Sequence, residues 1–159
     1  RKQGKAPCIT RSPEAGPRRL RGRDRLLKKM AKILLVEDNL QNKILVHEIL
    51  VMNGLEIIEA KNGVDAVKAA ASGAPPDIVL MDIQLPEMDG VTAMRIIKSQ
   101  ERTKHVPVLA LTASAMKGDE EKLLGYGFDG YLAKPIDIKK LIEKITESVY
   151  AVKGPAKTL

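Results

Sequence analysis

Aromatic residues are almost missing from this chain: its 159 residues include no tryptophan, one phenylalanine and three tyrosines. That excludes a stacking platform for single-stranded nucleic acid, which needs several aromatic faces along one groove. Cysteine is as scarce. The single Cys8 rules out a disulfide framework and a cysteine-rich metal site, and a reducing cytosol is the simplest compartment. No apolar run approaches the roughly 18 residues of a membrane span, and no apolar signal region follows the basic start. A cytoplasmic chain with no membrane partner is the expectation.

Acidic charge is scarce in one place only. Residues 1–29 hold 11 Lys/Arg against 2 Asp/Glu, while residues 30–159 hold 16 against 18. The net charge of +7 therefore belongs to the leader, and the remainder is slightly acidic. With three prolines, three glycines and little apolar periodicity, residues 1–29 cannot bury enough surface to offset their ordering entropy, so the leader reads as disordered. Its last part, residues 18–29, can form a short basic helix around Leu20, Leu26 and Leu27. Nucleic-acid contact is conceivable only there, beside the plainer reading of a solvated extension. Met30-Ala31-Lys32-Ile33 resembles a natural start.

From Lys32 the pattern becomes regular. Apolar strands are predicted at 33–36, 78–81 and 106–111, with shorter ones at 56–60 and 131–133. Helices are predicted at 40–52, 63–72, 90–99 and 117–126, and a last one behind the cap Asp137 with Ile138, Leu141, Ile142, Ile145 and Val149 at helical spacing. Strands 33–36 and 78–81 lack polar alternation, which suits burial on both faces of a parallel sheet. Five βα units with short loops give an α/β fold, a doubly wound five-stranded parallel sheet with helices on both sides. One domain at 30–152 and a short tail at 153–159 complete the organisation.

The strand ends carry the chemistry. Residues 77–90 read Asp-Ile-Val-Leu-Met-Asp-Ile-Gln-Leu-Pro-Glu-Met-Asp-Gly, so a buried strand stops on Asp82, where open α/β sheets place their ligand sites. Pro86 and Gly90 mark the turn that follows, and Asp77 and Asp89 read as loop residues. Glu37 and Asp38 end the first strand, Thr112 the fourth and Lys134 the fifth. Carboxylates about 4 Å apart repel by roughly 1–4 kcal/mol per pair. Lys134 offsets one charge, and the oxygen-rich remainder suits a hard divalent ion, Mg²⁺ or Mn²⁺. Such a set is built for a phosphoryl group, with Asp82 as nucleophile, Lys134 and the metal as charge clamps and Thr112 as hydrogen-bond donor.

Val36-Glu37-Asp38-Asn39, the run from Met81-Asp82 to Asp89-Gly90, Leu111-Thr112-Ala113-Ser114 and Lys134-Pro135 together resemble a response-regulator receiver domain over residues 32–149. The run Ala115-Met116-Lys117-Gly118-Asp119-Glu120-Glu121 is similar to stand-alone receivers of bacterial cell-cycle control. The resemblance implies a flavodoxin-like (βα)5 fold with strand order 2-1-3-4-5, and Asp82 as acceptor of a phosphoryl group from a histidine kinase or histidine phosphotransfer protein. It implies metal ligation by Asp38, Asp82 and the Gln84 backbone carbonyl, with Glu37 acting through water. Thr112, the Ala113 N–H and Lys134 would hold the phosphoryl group. Lys134-Pro135 would be cis, and Thr112 and Tyr131 would form a switch. Gln84 and Ser114 match positions that tune acyl-phosphate hydrolysis. Output would pass to a downstream effector protein at residues 117–126, Tyr131 and the last helix. The chain would be a regulatory phosphoacceptor rather than an enzyme, whether free-standing or detached from a hybrid kinase.

Other classes fit less well. A flavodoxin-like cofactor binder needs a Ser/Thr/Gly-rich phosphate loop where Glu37-Asp38-Asn39 stands. An aspartyl phosphatase has a second Asp where this chain has Gln84. His47 and His105 have no partner pattern and read as structural or surface residues. Leu40, Asn42 and Lys43 can dock a phosphodonor helix or simply face solvent.

Overall fold

The computed structural model describes residues 31–114, 116 and 118–153. The leader and residues 154–159 of the tail lie outside the described residues, as do Ala115 and Lys117. Among the described residues ten elements alternate strictly: β1 (Lys32–Val36), α1 (Leu40–Met52), β2 (Glu56–Ala60), α2 (Gly63–Ala71), β3 (Ile78–Asp82), α3 (Gly90–Ser99), β4 (Val108–Thr112), α4 (Asp119–Tyr126), β5 (Gly130–Ala133) and α5 (Ile138–Lys153). All neighbouring strands pair in parallel, in the order β2-β1-β3-β4-β5. This is the expected doubly wound topology.

Strand alternation divides the core in two. Ile33, Leu35, Ile78, Leu80, Leu109 and Leu111 face α1 and α5, meeting Val46, Ile49, Leu50, Leu141 and Ile145. Leu34, Val36, Val79, Met81, Val108 and Ala110 face the opposite way, onto Ala66, Ala70, Ala93, Met94 and Ile97. Because β3 and β4 are covered on both sides, every residue in them is buried. The polar residues ending these strands must therefore find partners inside the fold.

Several boundaries differ from the periodicity reading. β4 starts at Val108, two residues later than expected, because residues 103–106 form a turn. In that turn Val106 N–H donates to Thr103 O (3.0 Å) and the Thr103 hydroxyl to Ile97 O (2.6 Å). Pro107 has no N–H to give the sheet, although its carbonyl accepts from Val79 N–H at 2.9 Å. α4 starts at Asp119 after Gly118, whose left-handed φ of 101° ends the preceding loop. α2 stops at Ala71, with Ser72 as its cap. β1, β3 and β5 each gain a residue (Lys32, Asp82 and Gly130), and α5 runs on to Lys153.

Asp77 and Asp89 are more than loop residues. Asp77 Oδ2 accepts from Lys32 N–H at 2.8 Å, joining the start of β1 to the approach to β3. Asp89 caps α3, accepting from Thr92 N–H (2.8 Å) and the Thr92 hydroxyl (2.9 Å). That N–H bond holds its carboxyl below the ordinary range.

Gly125, in α4, has nothing within 4 Å of where a Cβ would stand. Gly125→Ala is therefore expected to stabilise the fold by roughly 0.5–1 kcal/mol, read from the urea midpoint.

Candidate functional site

β1, β3, β4 and β5 all deliver side chains to the carboxyl edge of the sheet. Glu37 follows β1 directly and is 1% exposed; Asp82 ends β3 at 6%. Lys134 comes in behind β5, where its N–H donates to Thr112 O at 2.7 Å and its bond to Pro135 is cis, as the resemblance implied. The ammonium then donates to Glu37 Oε2 (2.8 Å) and Asp82 Oδ2 (2.7 Å). One cation thus bridges two buried carboxylates drawn from opposite halves of the chain.

The other carboxylate oxygens are held by backbone. Glu37 Oε1 accepts from Asn39 N–H at 3.1 Å and Asp82 Oδ1 from Gln84 N–H at 3.0 Å. Burial pushes the Glu37 carboxyl up, and the opposing pull of Lys134 and Asn39 does not cancel it. For Lys134, burial works against the ammonium, yet its bonds and charge interactions with Asp82 and Glu37 outweigh this and hold it above its ordinary value. Asp38 is exposed beside the pair, and Glu37, Asp38 and Asp82 each offer an oxygen within 4.8 Å of the others. Three carboxylates against one ammonium leave the cluster short of positive charge. The all-oxygen donor set fits a hard divalent cation.

The loop after Asp82 is tightly cinched. Gly90 N–H donates to Ile83 O (3.0 Å), closing its base. At its tip Met88 N–H donates to Pro86 O (2.8 Å) across Glu87, whose φ is 65°. A positive φ at a non-glycine residue stores some backbone strain.

Thr112 is buried at the end of β4, but its hydroxyl is engaged with the following loop. It donates to Ser114 O (2.9 Å) and accepts from Ser114 N–H (3.1 Å), while Ser114 Oγ donates to Asp119 Oδ2 (2.8 Å). Ala113 is exposed just beyond. Tyr131 is not gathered into the cluster. Its hydroxyl donates to Glu120 Oε2 at 3.3 Å, and the charge of Glu120 raises its pKa. Next to it, a cleft of about 450 Å³ opens between β5 and α5, lined by Tyr131, Pro135, Lys140 and Lys144 among others.

Neither histidine joins the site. His47 Nδ1 meets Glu59 Oε1 at 2.5 Å on the flank of α1, and His105 lines a cleft at the opposite end of the sheet with Pro75, Val106 and Val149. Sequence reasoning named Leu40, Asn42 and Lys43 on the outward face of α1 but missed its further exposed apolar residues. Leu40, Ile44, Leu45, Val51 and Met52 are 48–86% exposed. The signal was present, since residues 40–52 have apolar side chains in every turn and no polar face.

The response-regulator receiver-domain model matches residues 33–146. The polar-differentiation response regulator DivK of Brucella anthropi is 41% identical over 113 residues, covering 71% of this chain and 91% of that protein. The receiver domain of the Pseudomonas aeruginosa sensor histidine kinase PA1611, described with magnesium coordinated in its active-site cleft, is 38% identical with a TM-score of 0.69. The match covers 75% of this chain and 97% of that one. The Saccharomyces cerevisiae co-crystal of the phosphotransfer protein Ypd1 with the receiver domain of Ssk1 matches at 31% identity and a TM-score of 0.69, over 80% and 93%.

Proposed function

Because the chain belongs to the response-regulator receiver family of two-component signalling, we propose that it works as a phosphorylation switch in which Asp82 accepts a phosphoryl group from the phosphohistidine of a histidine kinase or phosphotransfer protein. The observation that carries this is the Lys134 ammonium bridging Glu37 and Asp82 beside a third carboxylate, Asp38. A carboxylate oxygen of Asp82 attacks phosphorus and the P–N bond breaks. The bonding pair passes to the imidazole nitrogen, leaving an acyl phosphate on the protein. Lys134 would neutralise the phosphoryl oxygens. Asp38, Asp82 and the Gln84 carbonyl, with Glu37 behind them, would hold Mg²⁺, which supplies charge neutralisation for the transfer.

Thr112 and the Ala113 N–H would then receive phosphoryl oxygens. For the hydroxyl to do so it must leave Ser114, moving the β4–α4 loop, and Tyr131 would follow by releasing Glu120. That couples the site to the cleft beside Tyr131 and α5, the proposed surface for an effector protein. The apolar outer face of α1, starting at Leu40 next to Asp38, suits the helix of a phosphodonor. The similarity to the PA1611 receiver domain supports a second reading, in which this unit serves within a larger kinase.

Incubation with Mg²⁺ and acetyl phosphate is expected to add one phosphoryl group, seen as a mass increase that chelator prevents. Equal labelling of Asp82→Asn would falsify the assignment.

A further inference from the structure

We propose that Gly63, the first residue of α2, is a positioning residue for the metal-binding loop after Asp82, set there so that the loop can rest on the start of the helix. The proposal rests on the reading above, in which the Gln84 carbonyl is a ligand of the ion.

A Cβ at Gly63 would stand 2.4 Å from Met88 O, 2.9 Å from Met88 Cβ and 3.0 Å from Met88 Cγ. Gly63 has no positive φ, so backbone conformation does not demand glycine there. Space does. The nearest obstruction is a main-chain carbonyl, which cannot swing aside as a side-chain tip can. Opening that contact from 2.4 to 3.0 Å requires the helix or the loop to give by at least 0.6 Å.

The helix is poorly placed to give. Asn62 is buried and accepts from Asp65 N–H at 2.7 Å, while its amide donates to Asp65 Oδ2 at 3.2 Å. Its neighbours Ala66 and Ala70 are packed into the core below the sheet. The loop is stiff as well. It is closed at its base by Gly90 N–H to Ile83 O, at its tip by Met88 N–H to Pro86 O, and tied to the site by Gln84 N–H to Asp82 Oδ1. A push at Met88 is therefore not absorbed locally and reaches Gln84, four residues away in the same closed loop. Supporting groups behind a metal site typically change its affinity by about 10–100-fold.

Gly63→Ala is expected to bind Mg²⁺ about tenfold more weakly by calorimetry, with a native far-UV spectrum. Its largest amide shift changes in NMR should fall at residues 84–88. The double variant Gly63→Ala/Met88→Gly removes two of the three close contacts and should recover part of the affinity. Wild type and Asp38→Asn are titrated alongside. A wild type that binds no Mg²⁺, or an Asp38→Asn protein that binds it unchanged, would sink the functional reading itself. Wild-type binding lost in Asp38→Asn but kept within twofold in folded Gly63→Ala overturns this inference alone. If Gly63→Ala does not fold, Asn62→Ala frays the same helix start without a clash and should weaken Mg²⁺ binding toward the lower end of the roughly 10–100-fold range; unchanged affinity there is equally fatal.

Discussion

Lys134→Met is expected to lower stability by about 2–4 kcal/mol in chelator, read from the urea midpoint, and to slow acyl-phosphate formation about 10²–10³-fold. The stability loss follows from what the ammonium neutralises. Its partners Glu37 and Asp82 have side chains only 1% and 8% exposed. Removing one side of a buried ion pair leaves charge uncompensated, at a cost of roughly 3–5 kcal/mol. The 18% exposure of Lys134 lowers the expectation from that range to about 2–4 kcal/mol.

The same substitution has a pH signature. Burial already holds Glu37 above the ordinary carboxylate range against the pull of Lys134, so without that pull it rises further. A carboxyl whose folded pKa lies above its unfolded value favours folding when protonated. The contribution of Glu37 to the variant's stability is then greatest at low pH and is lost as pH rises through the folded value. Added Mg²⁺ should restore part of the loss, about 2.7 kcal/mol at a concentration one hundred times its Kd. Superimposable unfolding curves for the two proteins in chelator would rule this account out.

The sheet and most of the candidate site's geometry were legible because their signals are local. The unbroken apolar runs of β1 and β3 report burial on both faces, and a strand that ends on an acid reports a site at its carboxyl edge. Glu37 and Lys134 are 97 residues apart, and only the fold-wide pattern of strand ends put them together. Where a role depends on a distant partner without such a pattern, the sequence was silent. Asp77 looks like any loop acid until its bond to Lys32, 45 residues away, is seen. Asp89 was legible and overlooked, since an Asp before an apolar-periodic segment is an ordinary N-cap signal. The start of β4 was misread because Val106 is apolar and buried like a strand residue, yet it closes a turn held by Thr103. Tyr131 shows the remaining limit: sequence places it near the site but does not say which way its ring lies, and its hydroxyl meets Glu120.

Glycines carry the least local information, and they provide the sharpest contrast in expected effect. Gly90→Ala should destabilise the protein by about 3 kcal/mol, whereas the chemically identical Gly125→Ala stabilises it. A Cβ at Gly90 would lie 2.2 Å from Asp82 O, 2.9 Å from Ile83 Cα and 3.0 Å from Asp82 C, all backbone atoms. The end of β3 cannot retreat, because Asp82 is paired with Leu111 and Ile83 N–H donates to Leu111 O at 3.3 Å. α3 cannot rise without breaking the bond from Gly90 N–H to Ile83 O, and Ala93, Met94 and Ile97 are packed against the sheet behind it. Whichever side moves, the main chain carrying the Asp82 carboxylate moves with it. Acyl-phosphate formation should therefore fall together with the urea midpoint in Gly90→Ala. A Gly90→Ala protein within about 0.5 kcal/mol of wild type, the ordinary range for surface substitutions, would show that α3 seats on β3 less closely than these contacts require.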